Sequence, residues 1–165
     1  MSGKRIKMIL DIHYVCTKPL YSVLEGITEI QLNWSPAHDS RSINQIMCHL
    51  IRVDNYFLKR LNQKITVNDP KNGTAPEVLN ALKNVHLQIQ TMLQNCADDS
   101  SLFEKSGFEN AEENDTINEH ILHSCQHNLY HLSQMIYLRR ALDRNWESPV
   151  VEWDKATRII AGYLF

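Results

Sequence analysis

Thr116-Ile117-Asn118-Glu119-His120-Ile121-Leu122-His123-Ser124-Cys125-Gln126-His127-Asn128-Leu129-Tyr130-His131-Leu132-Ser133-Gln134-Met135 reads as one long helix. Thr116 and Glu119 have capping-box spacing, and Ile117, Ile121, Leu122, Cys125, Leu132, Met135 and Leu142 recur with helical period to about Asp143. An apolar stripe on a helix of this length must be buried against something, and the rest of the chain offers more helices and no convincing strand.

Upstream, Ile6, Leu10, His13, Thr17, Leu20, Leu24 and Ile27 alternate spacings of four and three, the mark of a helix facing a partner. Pro19 is expected to kink that helix or shift its start, and Gly26 fits its C-terminal cap. Thr28 and Gln31 suit a capping box for a short turn. Ser42-Ile43-Asn44-Gln45 caps a second long helix, with Ile46, Met47, Leu50, Val53, Phe57 and Leu61 on its stripe and an end near Asn62. After the turn formers of residues 68–73, Thr74-Ala75-Pro76-Glu77 starts a third, with Leu82, Val85, Ile89, Met92 and Cys96 buried. Residues 98–114, with isolated Leu102, Phe103 and Phe108, read as an irregular connection with room for a short hairpin. Beyond Pro149 a short helix reaches Arg158 and Ile160, anchored by Trp146 and Trp153. The expected architecture is therefore all-α: a four-helix bundle with a short additional C-terminal helix, one domain over residues 1–165.

Composition narrows the function classes. Seventeen basic against nineteen acidic residues leave a formal charge of −2, so neither nucleic acid nor an anionic membrane is an expected partner. A small-molecule ligand suits the charge better. Met8-Ile9-Leu10 is broken at once by Asp11 and His13, too short for a secretory signal, and no stretch has the roughly twenty apolar residues of a membrane helix. Cys16, Cys48, Cys96 and Cys125 lack CxxC spacing and read as reduced thiols of a cytoplasmic protein.

The chemistry is concentrated in histidine. Of eight histidines, four lie between His120 and His131. At about 100° per residue, His120, His127 and His131 fall within about 40° of one another, with His123 slightly outside that sector. Rings four apart can turn toward one ion, whereas rings eight apart sit roughly 12 Å apart along the axis, so His123 and His131 do not share one. A third ligand must come from elsewhere, and His49, at the edge of the second helix's apolar stripe, is the best placed. A lone HxxxH step is more often a pair of solvated histidines than a metal site; three steps beside an apolar stripe, with a histidine on another helix, shift the balance. Three imidazoles would leave a coordination position open for water or substrate.

These residues resemble the DinB-like family of metal-binding four-helix bundles, the DinB and YfiT superfamily, which includes metal-dependent transferases acting with small thiols. Trp34-Ser35-Pro36-Ala37 followed by Arg41-Ser42-Ile43-Asn44-Gln45-Ile46-Met47-Cys48-His49-Leu50 looks like the family's approach to its first metal histidine. The run from His123 to Gln134 looks like its HxxxHxxxH motif ending in glutamine. The resemblance implies His49, His127 and His131 as ligands, with His123 in the surrounding shell. Many members have Arg-Gly before the glutamine where this chain has Leu132-Ser133, which removes any anion contact made by that arginine.

The ion implied is a divalent transition metal, zinc or nickel first, with iron, manganese or copper as alternatives. The expected function is a metal-dependent thiol S-transferase or hydrolase, with a low-molecular-weight thiol as partner and a homodimer as the family's common assembly. The alternatives are a non-catalytic metal-binding or stress-response protein and a helical interaction module. Gln134 could fix a ligand tautomer, or be an ordinary surface amide. His13 could reach the same cavity, although a satisfied core histidine is the simpler reading. His86 and His38 read as structural or solvated, Asp54 and Tyr56 as surface or packing residues, and Cys48 and Cys125 as core.

Overall fold

A computed structural model describes residues 3–105, 116–149, 154, 157–159 and 161–163. Among the described residues, the bounded helices follow the order α1 (Lys4–Leu24), α2 (Glu29–Asn33), α3 (Ile43–Arg60), α4 (Ala75–Gln94) and α5 (Ile117–Leu142), with a 3-10 turn at Asp99–Phe103 before α5. The four long helices form a closed ring in which α1 packs on α5 and α4, and α3 packs on the same two. Each apolar stripe is thus covered on two sides, the arrangement expected of a four-helix bundle. Among the described residues there is no strand, only an isolated antiparallel bridge between Lys105 and Thr116. Phe108 and the rest of the expected hairpin lie outside the described residues, as do Trp153 and Ile160; residues 154, 157–159 and 161–163 are helical.

The helix starts obey local chemistry. Thr28, Ser42 and Thr74 each close a complete capping box, with Gln31, Gln45 and Glu77 respectively. Thr116 does half of this: its side chain accepts the Glu119 N–H, and no return bond from Glu119 is present. The N-terminus of α1 has no side-chain cap of its own. Asp99 serves instead, its Oδ1 accepting the Arg5 and Ile6 N–H groups at 3.0 Å each.

Of the two outcomes expected at Pro19, a shifted start does not occur: the helix runs from Lys4 to Leu24 with Pro19 buried inside it. The bond lost at Pro19 is one within a long helix packed on two neighbours, and burial of Cys16, Leu20 and Val23 holds the turn. The stripe of α5 is also narrower than its apolar residues suggest. Leu122 and Leu142 are exposed, and the buried face instead carries the polar Ser124, Asn128 and His131 alongside Ile121, Cys125 and Met135. Likewise, Ile9 rather than Leu10 is fully buried on α1.

The C-terminus of α1 is tied to α5. Gly26 adopts φ +63°, the left-handed conformation that ends a helix with least strain. Arg139 reaches across from α5, donating to the Val23 carbonyl and, at 2.6 Å, to the Glu25 carbonyl. Its guanidinium also lies 4.5 Å from the Trp146 ring centroid. A buried cation at the end of α1 thus meets carbonyls that the helix leaves unpaired.

Candidate metal centre

Three imidazoles meet where α3 faces α5. His49 comes from α3 and lies seven residues after its cap at Ser42; His127 and His131 are one turn apart on α5. The Nε2 of His127 lies 3.2 Å from Nε2 of His49 and 3.1 Å from Nε2 of His131. One ligand atom from each ring falls within 4.8 Å of the other two. The rings stand nearly edge to face, His127 against His131 at 88° and His49 against His131 at 81°, and do not stack.

Protons alone do not satisfy this arrangement. Nδ1 of His131 is 2.7 Å from Oε1 of Gln134, an acceptor, so the His131 proton sits on Nδ1 and its Nε2 presents a lone pair. A proton on Nε2 of His127 can bond His131, but then that nitrogen has no lone pair with which to accept from His49. Without that proton, two lone pairs face each other at 3.1 Å. A cation between the three nitrogens removes the conflict. Tetrahedral coordination with metal–nitrogen bonds of 2.0–2.1 Å sets ligand nitrogens about 3.3 Å apart, close to the spacing here.

The electrostatics keep the rings neutral. His49 is brought down to about 4, by burial first, then by the Arg41 guanidinium and the two neighbouring imidazoles. Burial is also the main cause of the lowered pKa of His127 and of His131. Neutral imidazole is the form that coordinates. The buried Asp54 carboxylate, 1% exposed, pulls the His127 pKa the other way.

Two clefts meet at Arg41, and one of them reaches the centre through His131. One, of about 690 Å³, is lined by Arg41, Ile46, Tyr130, His131, Gln134 and Tyr137 among others. The second, of about 420 Å³, lies on the far side of Arg41 and includes Asp39, Asn44, Cys48, Arg52 and Lys71.

The other expected site residues separate. Gln134 contacts His131 directly. His123 is exposed and packs on the Phe57 ring at 5.1 Å, away from the three-nitrogen centre. Tyr56 is exposed, and Cys48 and Cys125 are buried free thiols. His13 is fully buried but not satisfied: neither ring nitrogen has a hydrogen-bond partner.

His13 belongs to a second polar cluster in the middle of the bundle, drawn from all four long helices. Tyr21 Oη and Nδ1 of His86 share a hydrogen bond at 2.7 Å, and Ser124 donates to Oδ1 of Asp54 at 2.5 Å. His86 Nε2 and Asp54 Oδ2 are 3.2 Å apart, close enough to pair electrostatically but off the line of a hydrogen bond. His13 stands edge-on to His86 with centroids 5.5 Å apart. Asp54 and His86 are therefore core residues, which spacing alone did not indicate; Asp54 lies five residues from His49, on the inward side of α3.

Fold and site together define a helical bundle protein with an open three-imidazole centre. The chain belongs to the DinB superfamily: the family model matches residues 16–135, a span that contains all three histidines. This superfamily typically binds metal, and the three-histidine cluster is compatible with a divalent ion. No curated protein and no solved structure matches the chain. Among the described residues no helix is long and apolar enough to cross a membrane.

Proposed function

We propose that the chain binds one divalent transition-metal ion through His49, His127 and His131, and that the site acts as a metal-dependent transferase of small thiols or as a hydrolase. The position of His127 Nε2, 3.1 Å from Nε2 of His131 and 3.2 Å from Nε2 of His49 in contacts that protons cannot both satisfy, carries the reading. Imidazole donors favour zinc or nickel, with iron, manganese or copper also suited, over magnesium or calcium. Bound there, such an ion supplies Lewis acidity at its open position, easing deprotonation of a thiol or water.

The residues around the centre do the rest. Gln134 holds the His131 proton on Nδ1 and so keeps Nε2 available to the ion. Asp54, buried in the core, offsets part of the added positive charge without occupying a coordination position. Tyr130, Tyr137 and Ile46 give the larger cleft apolar surface against which an organic substrate can exclude water.

Elemental analysis of protein purified without chelators and reloaded with zinc or nickel is expected to find one ion per chain. His127→Ala is expected to lose it, together with any transfer of a low-molecular-weight thiol to an electrophile. Equal metal content in wild type and variant would overturn the proposal.

A further inference from the structure

Arg41 is exposed and lines both clefts, sharing the larger one with His131 and Gln134. The other cations near it are less available to that cleft. Arg52 is held by Asp69 at 2.6 Å, and Lys71 lines only the smaller cleft. Among the described residues Arg41 has no hydrogen-bond or ion-pair partner, even though Asp39 lines the smaller cleft with it. Exposed arginines are commonly just solvated, but this one stands beside a centre whose three ligands are neutral. With a divalent ion in place, no ligand carboxylate cancels its charge, and the free guanidinium adds to the excess. The Asp54 carboxylate is buried in the core, where it accepts a hydrogen bond from Ser124.

We propose that Arg41 is the anchor for an anionic substrate: the larger cleft takes a small organic acid whose carboxylate pairs with Arg41 and whose apolar body lies along Tyr130, Tyr137 and Ile46, with its reacting end toward the three histidines. This rests on the proposed metal site. The planar guanidinium suits two parallel hydrogen bonds to a carboxylate, a geometry that lysine does not reproduce. The cleft, at about 690 Å³, has the size of a small-molecule site. Arg41 thereby acts as a specificity residue that fixes which end of the molecule reaches the metal. Its charge also contributes to holding the His49 and His131 rings unprotonated.

The test uses cobalt(II)-loaded full-length protein and reads the visible absorption of the ion. 3-Mercaptopropionate and its neutral amide are titrated separately into wild type, Arg41→Gln and Arg41→Lys. Because the ion itself favours an anion, the deciding quantity is the change in acid-over-amide preference on substitution. A charge-assisted bidentate contact is expected to give the wild type a preference roughly tenfold or more above that of Arg41→Gln, with Arg41→Lys between them. Equal preference in wild type and Arg41→Gln, with cobalt bound to both, overturns the role of Arg41 and leaves the metal site standing. Failure of wild-type protein to bind cobalt overturns the metal reading and this one together.

Discussion

Gln134 Oε1 lies 2.7 Å from Nδ1 of His131, one helical turn away on α5, and thereby determines which nitrogen of that imidazole faces His127 and His49. The interaction is local in sequence but acts on a site assembled from two helices. Removing the acceptor in Gln134→Leu frees the ring to take the other tautomer. Zinc affinity, measured by competition with a chromophoric chelator, is expected to fall about 10–100-fold with helicity unchanged. Gln134→Glu keeps the acceptor and should retain binding; a loss as large as that of the leucine variant would count against tautomer control.

Metal binding should release few protons at neutral pH. A histidine whose pKa is lowered is unprotonated at pH 7, and burial lowers all three, His49 to about 4. Proton competition therefore sets in only as pH falls below the ordinary histidine value of about 6.5. Calorimetric zinc titrations at pH 7 in buffers of different ionisation enthalpy are expected to show well under one proton released per ion. Release of two or three would mean that the rings are protonated before binding.

His13 makes the fold acid-sensitive. Burial, then His86, takes its pKa from 6.5 down to about 3, with Asp54 opposing. The folded state thus keeps the ring neutral between those values while the unfolded chain takes up a proton. Its stability contribution is complete above pH 6.5 and is lost toward pH 3, at about 1.4 kcal/mol per pH unit for one group. His13→Leu removes this part of the slope and an unpaired buried donor, so it should also raise stability at pH 7 by roughly 1–3 kcal/mol. Urea unfolding of both proteins at pH 7 and pH 5 reads the two effects, and an unchanged slope would relocate the acid sensitivity.

Arg139 is the tie between α1 and α5. Arg139→Leu leaves the Val23 and Glu25 carbonyls without their donor and removes the stack on Trp146. A loss of about 2–3 kcal/mol is expected in chemical unfolding. Arg139→Lys restores the charge but not the two-pronged geometry, and should recover only part of that loss. Full recovery by lysine would show that charge alone closes the end of α1.

Helix identity and position could be read along the chain because both depend on near neighbours. Capping boxes at Thr28, Ser42 and Thr74 are four-residue devices, and stripes such as Leu82, Val85 and Ile89 declare their buried face by spacing. The pairing of His127 with His131 is equally local, since one helical turn makes them neighbours whatever surrounds them. Other features depend on how the helices pack. Asp99 capping α1, Arg139 closing its far end, and Asp54 and His86 meeting in the core all join residues far apart in sequence, which no local spacing reveals. Only the packing of α3 on α5 brings His49 to 3.2 Å from His127 and sets Arg41 over the cleft, because such meetings are governed by the summed burial of whole helix faces rather than by any short run of residues.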